Sequence, residues 1–301
     1  MNSTLKTLQA EGRCFLDEPL ARHTTWGVGG PAKIFVLPKA LDQLVDVVAF
    51  CEEEQMKFKI LGAGSNMLFS DNGYDGIVIC TKAMEHDLAV FGNTITVGAG
   101  ERLAKLAQTA LENGLSGLEW ACGIPGTVGG AIVQNAGAFG KDIASVFSKA
   151  LVFSERKLGT KTNLDCEFSY RNSCFKKNKT LILDACFSLR PDNPEEIRKR
   201  MKLFASKRVA TQPVGRSAGS VFLTCNGFSA GYLIEQAGLK GRQIGGAKIS
   251  EKHANFFLNT GGASAGDILA LIDEARQRVF EMFGVWIETE VEIVEEDNES
   301  F

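Results

Sequence analysis

The sequence is poor in the features that mark several large classes of protein. Its 301 residues include three widely separated histidines, so a zinc site is not expected, and we predict no metal. No apolar run reaches the roughly 18 residues of a membrane span, and Met1 to Arg13 lack the apolar segment of a signal peptide. The net charge of -3, with both signs interspersed, argues against nucleic acid as a partner. We therefore expect a cytoplasmic protein that binds neither membrane nor nucleic acid.

The eight cysteines also lack the spacing of metal ligands, because no CxxC pair occurs. Several lie in apolar runs that are typical of strands, such as GIVIC at 76–80 and LILDACFSL at 181–189. We interpret all eight as buried free thiols of a reducing compartment.

Short apolar strands and amphipathic helices alternate along the chain. Apolar or alternating runs predict strands at 32–38, 58–62, 76–80, 93–100, 148–155, 181–189 and 284–294. Apolar residues at helical spacing predict helices at 41–55, 101–113 and 265–283, and 229–237 is also expected to be helical. Asn193-Pro194-Glu195-Glu196 predicts the start of a helix that runs to about 209, because it offers a cap, a proline at the first position and acids near the positive end of the helix dipole. The alternation is too brief for a doubly wound sheet. The length suggests about two domains, and the loop-like stretch ATQPVGRSAGS at 210–220 indicates a boundary.

Two glycine-rich loops are the most distinctive local feature. LGAGSNMLF (61–69) follows a predicted strand, but Met67 stands where a dinucleotide fingerprint needs glycine, and no GxxxxGK[ST] phosphate loop occurs. CGIPGTVGGA (122–131) is the second loop, and Asn135-Ala136-Gly137 follows it closely. Successive main-chain N–H groups can bind anions without lysine. Two such loops would suit the two phosphates of a dinucleotide cofactor lying against main chain.

Longer motifs identify a family. In chain order they are HTTWGVGGPA (23–32), LGAGSNMLFSDNGYDGIVI (61–79), GIPGTVGGAIVQNAGAFG (123–140), YRNSCFK (170–176), SAGSVF (217–222), EQAGLKGRQIGGAKISEKHANFFLNT (235–260) and FGVWIETEVEIV (283–294). The chain resembles the UDP-N-acetylenolpyruvoylglucosamine reductase (MurB) family of peptidoglycan synthesis, over nearly its whole length and in the shorter of two subtypes.

The resemblance implies an α+β fold. Its FAD-binding region would be of the vanillyl-alcohol-oxidase type in two subdomains, 1–80 and 81–208, with a C-terminal α/β substrate domain at 209–301. It also implies non-covalent FAD, NADPH as reductant, and reduction of UDP-N-acetylglucosamine enolpyruvate to UDP-N-acetylmuramate. Hydride would reach C3 and a proton C2. The expected partner is this UDP-sugar alone, and the chain is expected to be a monomer in the bacterial cytoplasm.

Three residues match the family's catalytic positions. Arg171 in YRNS would stabilise the negative charge that develops on C2 and the adjacent carboxylate. Ser220 in SAGSVF would donate the proton. Glu290 in ETEVEIV matches the catalytic glutamate, although the alternation of Glu288, Glu290 and Glu292 does not by itself single it out.

The binding residues follow from the same motifs. Tyr170 and His253 are expected to contact substrate. The chain departs from the common family pattern at Gly27, where many relatives have arginine, and at Leu223, where many have lysine or another polar residue. The residues expected to bind FAD are Gly62, Ala63, Gly64, Ser65, Asn66, Met67, Gly126, Thr127, Gly130, Ala131, Asn135, Gly137 and Arg216.

Two other functions remain open at this stage. An oxidase of small alcohols or sugars with the same fold would often anchor FAD covalently through histidine, but His23, His86 and His253 lie outside the glycine-rich loops. A flavin-binding or UDP-sugar-binding module without catalysis is the second alternative, and the presence of all three catalytic positions argues against it.

Overall fold

The computed structural model describes residues 3–84, 87–177, 180–225 and 227–294, so His86 lies outside the described residues. The helices are α1 (Ser3–Ala10), α2 (Leu41–Glu53), α3 (Leu103–Glu112), α4 (Val128–Val133), α5 (Pro194–Thr211), α6 (Ala230–Gln236) and α7 (Ala265–Phe283). The strands of the first half are β1 (Cys14–Pro19), β2 (Pro31–Val36), β3 (Phe58–Leu61), β4 (Met67–Phe69), β5 (Tyr74–Cys80), β6 (Leu88–Phe91), β7 (Thr94–Gly98), β8 (Leu115–Ser116), β9 (Gly137–Ala138) and β10 (Lys141–Asp142). Those of the second half are β11 (Phe147–Ser154), β12 (Lys157–Thr162), β13 (Leu181–Ser188), β14 (Arg190–Pro191), β15 (Gln243–Ile244), β16 (Ala247–Ile249), β17 (Phe257–Asn259) and β18 (Glu292–Val294).

These strands form one five-stranded, one four-stranded and several smaller sheets. The five-stranded sheet has the order β12-β11-β13-β7-β6 and is antiparallel throughout. The four-stranded sheet has the order β1-β2-β5-β3, and a three-stranded sheet has the order β15-β16-β17. β18 pairs with β4 in parallel, Glu292 opposite Met67. Antiparallel sheets combined with helices are the α+β arrangement expected from the sequence.

The chain divides into two compact units. The first contains 1–15, 35–63 and 78–208, and the second contains 16–34, 64–77 and 209–301. In the first unit, α3 and α4 pack with the five-stranded sheet around Leu103, Trp120 and Ile132. In the second unit, the apolar face of α7 joins Trp26, Phe222 and Phe257 in a separate core. Each unit therefore has the hydrophobic core that a domain requires.

The long helices begin where their capping residues predict. The Oδ1 atom of Asn193 accepts a hydrogen bond from the Glu195 N–H at 2.8 Å, so α5 starts at Pro194 as expected. Ser264 and Asp267 form a capping box at the start of α7, which ends at Gly284 in the left-handed conformation. Both helices are confirmed, α5 by its cap and α7 by its cap together with its apolar stripe.

The predicted strand at 284–294 is wrong in its extent. Only Glu292–Val294 is regular strand. Upstream, the Leu223 N–H donates to the Glu288 carbonyl at 2.9 Å, and the Glu290 N–H donates to the Val221 carbonyl at 2.8 Å. The segment therefore changes partner from residues 221–223 to β4, and no continuous ladder forms.

The eight cysteines all lie in described residues, and all are free thiols. Cys122, Cys186 and Cys225 are only half-buried, so the expectation of complete burial is wrong for these three. Within the described ranges, no helix combines the length and apolar character that crossing a membrane requires. In the same part of the chain, no three His, Cys, Asp or Glu side chains cluster as metal ligands would.

Candidate functional site

The two glycine-rich loops touch each other within the first unit. A Cβ atom added at Gly62 would lie 2.5 Å from the Thr127 Oγ1 atom, a distance that real Cβ contacts do not reach. Only glycine fits at position 62 without moving Thr127. The Gly62 carbonyl also lies 3.8 Å from the Cys80 Sγ atom, and Ala63 follows as the last residue of this part of the first unit.

Gly64 begins the part of the first loop that belongs to the second unit. Its φ of +63° is left-handed, and an added Cβ would lie 2.1 Å from the His23 carbonyl oxygen. Its own carbonyl accepts a hydrogen bond from the Thr25 N–H at 3.0 Å. Close main-chain packing against residues 23–25 therefore requires glycine here.

The rest of this loop is bound to the segment from Glu290 to Glu292, where β18 begins. The Asn66 Nδ2 atom donates to the Glu290 carbonyl at 3.1 Å, and the Asn66 carbonyl accepts from the Glu292 N–H at 2.9 Å. Met67 is buried and pairs with Glu292. Ser65, which precedes Asn66 in the chain, is half-buried. The predicted cofactor loop and a predicted catalytic residue are thus fixed to each other within the second unit.

The second glycine-rich loop contains the short helix α4, which the sequence analysis missed. The N–H groups of Val128 and Gly129 donate to the carbonyls of Glu101 and Ala99 at 2.8 and 2.7 Å, and the Gly130 N–H donates to Thr127 Oγ1 at 3.3 Å. The expectation that successive amides here are open to an anion is therefore wrong for these three. At the start of α4, these three N–H groups already have hydrogen-bond partners within the protein.

The neighbouring residues of this loop differ in what surrounds them. The Gly126 carbonyl accepts from the Leu103 N–H at 3.1 Å, and Ala131 is buried in the core. A Cβ at Gly129 would meet Ala99 at 3.0 Å. Gly130 is exposed, and a Cβ there would meet only Thr127 Oγ1, at 3.3 Å. The main chain at Gly130 is thus exposed, and an added Cβ would press against the Thr127 hydroxyl.

Both ends of the Asn135 carboxamide form hydrogen bonds to other residues of the first unit. Asn135 is 2% exposed. Its Nδ2 donates to the Ser169 carbonyl at 2.9 Å and to Asp142 Oδ2 at 3.3 Å, and its Oδ1 accepts from the Ala144 N–H at 3.0 Å. A cofactor contact from Asn135 would therefore have to come from its main chain.

Arg171 lies at the tip of the hairpin that Asn135 holds. Ser169 and Asn172 exchange two main-chain hydrogen bonds at 3.1 Å, and Arg171 has a left-handed φ of +53°. Its Nη2 donates to the Gly137 carbonyl at 2.7 Å, and its Nη1 reaches the Asn135 carbonyl at 3.5 Å. Its Cζ lies 5.3 Å from the ring centre of the exposed Tyr170. The structure thus brings Arg171, Tyr170 and Gly137 together in the first unit.

Ser220 and Glu290 are brought together in the second unit. Ser220 forms an antiparallel bridge with Phe256. The next residue, Val221, accepts a hydrogen bond through its carbonyl from the Glu290 N–H at 2.8 Å. Both Ser220 and Glu290 are half-buried. Main-chain hydrogen bonds therefore place a hydroxyl and a carboxyl on adjacent segments.

His253 and Arg216 lie in the same unit. The His253 Nδ1 accepts from the Asn255 N–H at 3.3 Å, and its ring packs edge-on against Phe256 at 4.9 Å. Burial lowers the pKa of His253, and the nearby Lys240 lowers it further. The imidazole is therefore held in its neutral form, with Nε2 carrying the proton.

Arg216 lies over Gly27. An added Cβ at Gly27 would be 3.1 Å from the Arg216 Nη1 atom, so the absence of a side chain at position 27 provides the space that Arg216 occupies. The Arg216 carbonyl accepts from the Asn259 N–H at 2.9 Å. The departure from the family pattern at Gly27 is thus linked to the position of a predicted cofactor residue.

The chain is similar to known proteins over nearly its whole length. Residues 32–155 match the family model of an FAD binding domain, and residues 211–294 match that of the C-terminal domain of UDP-N-acetylenolpyruvoylglucosamine reductase. The reductases of Carboxydothermus hydrogenoformans and Halalkalibacterium halodurans are 45% and 44% identical, covering 93% and 97% of this chain and 93% and 98% of their own. The crystal structure of the Thermus caldophilus reductase is 33% identical and superimposes with a TM-score of 0.80, covering 94% of this chain and 98% of that one.

An FAD-binding domain followed by this C-terminal domain defines the chain as a flavin-dependent oxidoreductase. The predicted fold class, an α+β FAD-binding fold with a further C-terminal domain, is confirmed. The chain belongs to the UDP-N-acetylenolpyruvoylglucosamine reductase family.

Proposed function

We propose that the enzyme reduces UDP-N-acetylglucosamine enolpyruvate to UDP-N-acetylmuramate with NADPH, in the synthesis of peptidoglycan precursors. FAD, when bound, supplies the chemistry of hydride transfer from NADPH to C3 of the enolpyruvyl group. Family membership supports the substrate class. The observation that carries the proposal is the fixation of Ser220 and Glu290 on adjacent segments through Val221. That arrangement holds a hydroxyl where a proton can be delivered.

The roles of the chain's own residues follow from their chemistry. Ser220 donates the proton to C2, and Glu290 supports that transfer as an adjacent acid. Arg171 stabilises the charge on C2 and the carboxylate, because its guanidinium is always ionised and its fork matches a carboxylate. Tyr170 and His253 contact the substrate, with His253 acting through Nε2 because Nδ1 already accepts a hydrogen bond.

Among the predicted cofactor residues of the two loops, Gly130 offers the clearest place for a flavin dinucleotide to contact main chain. Gly130 exposes main chain that carries no side chain, so a flat ring can approach it closely. We assign FAD contacts to residues 62–67, to Gly126, Thr127, Gly130 and Ala131, to the main chain of Asn135 and Gly137, and to Arg216. The division into 1–80, 81–208 and 209–301 remains a proposal, and the family match at 211–294 supports its boundary near residue 209.

Replacing Gly130 by alanine tests the cofactor contact. Alanine should change the melting temperature little, since its helix preference of about 1 kcal/mol over glycine is opposed by a tight contact of the new Cβ with Thr127 Oγ1 at 3.3 Å. FAD affinity should fall because the new Cβ blocks close approach. The matched control is Gly159→Ala, where a Cβ would meet only Val152 at 3.8 Å. Equal FAD dissociation constants in both variants would remove Gly130 from the site.

Absorption spectra of the purified enzyme test the proposed function. We expect a yellow protein that releases intact FAD on acid treatment, loses its flavin absorbance with NADPH under anaerobic conditions, and regains it with the enolpyruvyl substrate. Flavin that stays attached to the denatured chain would favour the oxidase alternative. A reduced enzyme that substrate does not re-oxidise would favour a binding module.

We also propose that the enzyme acts as a monomer in the bacterial cytoplasm, with no nucleic-acid or membrane partner. The net charge of -3 supports the absence of a nucleic-acid partner. Sedimentation of the holoenzyme at several concentrations tests the monomer, and a mass that rises with concentration would contradict it.

A further inference from the structure

One buried side chain, Asn255, holds the segment that follows Ser220. Asn255 is 6% exposed. Its Oδ1 accepts from the Phe222 N–H at 2.9 Å, and its Nδ2 donates to the Phe222 carbonyl at 2.8 Å. Its main-chain carbonyl accepts from the Val221 N–H at 2.8 Å. Three hydrogen bonds from one residue therefore fix Val221 and Phe222.

The effect of this residue extends to both predicted catalytic groups of the second unit. Ser220 pairs with Phe256, the residue directly after Asn255. Val221, which Asn255 holds, accepts the hydrogen bond from Glu290 at 2.8 Å. The positions of Ser220 and Glu290 thus depend on the same short segment.

A carboxamide is the group that this position requires. Phe222 is 1% exposed, so its N–H and C=O have no access to water and need partners from the protein. Asparagine offers one donor and one acceptor at once. Aspartate would place a second acceptor against the Phe222 carbonyl, and leucine would leave both groups without a partner.

We propose that Asn255 is a positioning residue for the reduction, which sets Ser220 and Glu290 in place without touching substrate. The inference rests on the proposed function. It assigns a role to a residue that the sequence analysis did not select. A misplacement of about 1 Å in a reacting group costs on the order of 10²-fold in rate.

Half-reaction kinetics of Asn255→Leu and Asn255→Asp test the proposal. We expect full flavin content and unchanged reduction by NADPH, with re-oxidation by the enolpyruvyl substrate slowed on the order of 10²-fold. Asn255→Asp retains the acceptor for the Phe222 N–H and provides a second variant if Asn255→Leu does not fold. The control is Asp267→Asn, which weakens hydrogen bonds to Ser264 and Gly246 in the same unit and should slow neither half-reaction.

The double variant Ser220→Ala/Asn255→Leu separates positioning from general destabilisation. If Asn255 acts through Ser220, its loss should cost little more once the hydroxyl is gone, so the two effects on re-oxidation do not multiply. Multiplying effects, or equal slowing of both half-reactions, would overturn the role of Asn255. Failure of the wild-type enzyme to be re-oxidised by substrate would instead overturn the proposed function.

Discussion

Replacement of Ser220 by alanine should leave FAD bound and its reduction by NADPH intact, while re-oxidation by the enolpyruvyl substrate slows by about 10²–10⁴-fold, the usual cost of losing a positioned acid. Reduction needs only a hydride from nicotinamide, whereas the second half-reaction also needs a proton at C2. The main chain at residue 220 is held by Phe256 and, through Val221, by Asn255 and Glu290, so removal of one hydroxyl should not move the segment. Anaerobic stopped-flow absorbance measures both half-reactions.

Ser217→Ala is a suitable control for this measurement, because it removes a half-buried hydroxyl from the same SAGSVF motif without a proposed role in proton transfer. It should leave both rate constants unchanged. If Ser220→Ala slows reduction by NADPH as much as re-oxidation, Ser220 is a cofactor or structural contact and not the proton donor.

Arg171→Ala should slow the same half-reaction by roughly 10²–10³-fold, the typical effect of removing one group that stabilises developing negative charge. Substrate binding should weaken as well, since the guanidinium also meets the ground-state carboxylate. Arg171→Lys should recover part of the rate, because it keeps the charge but loses the planar fork. Substrate titrations of the reduced and oxidised enzyme give the affinities, and stopped-flow traces give the rates.

Arg156→Ala provides the matched control for position 171. Arg156 has a similar left-handed φ of +60°, and its guanidinium forms an exposed ion pair with Glu53 at 3.9 Å. Alanine at position 156 should change the melting temperature only slightly, and it should leave the rate constants of both half-reactions unchanged. Should Arg171→Ala bind substrate normally and turn over normally, the charge that develops in the reaction is stabilised by another residue.

The elements that the sequence predicts well are those with several agreeing local signals. Helix α7 has an apolar stripe, a capping box and a terminal glycine, so its bounds at 265–283 agree with the prediction. Helix α4 has six residues, two of them glycine, and no stripe. It forms because Thr127 caps it and because the Gly129 amide bonds to Ala99, a tertiary contact that no local pattern contains.

In the candidate site, too, some features can be predicted from the sequence and others depend on tertiary contacts. Motif positions single out Arg171, Ser220 and Glu290, and the structure gives each a defined main-chain setting, but their catalytic roles remain predictions. Asn135 and Asn255 illustrate what a motif does not convey. Both are buried asparagines whose carboxamides bond to protein main chain. The sequence alone does not tell whether such a carboxamide contacts a ligand or holds the protein's own main chain.

The loop from Gly64 to Asn66 has a consequence for how the gene can vary. Main-chain hydrogen bonds hold one end to Thr25 and the other to Glu292, and β4 begins at once after it. An inserted or deleted codon here would shift Met67, Leu68 and Phe69 against β18 and turn buried side chains outward. This stretch can therefore accept substitutions at some positions over evolutionary time, but its length is fixed.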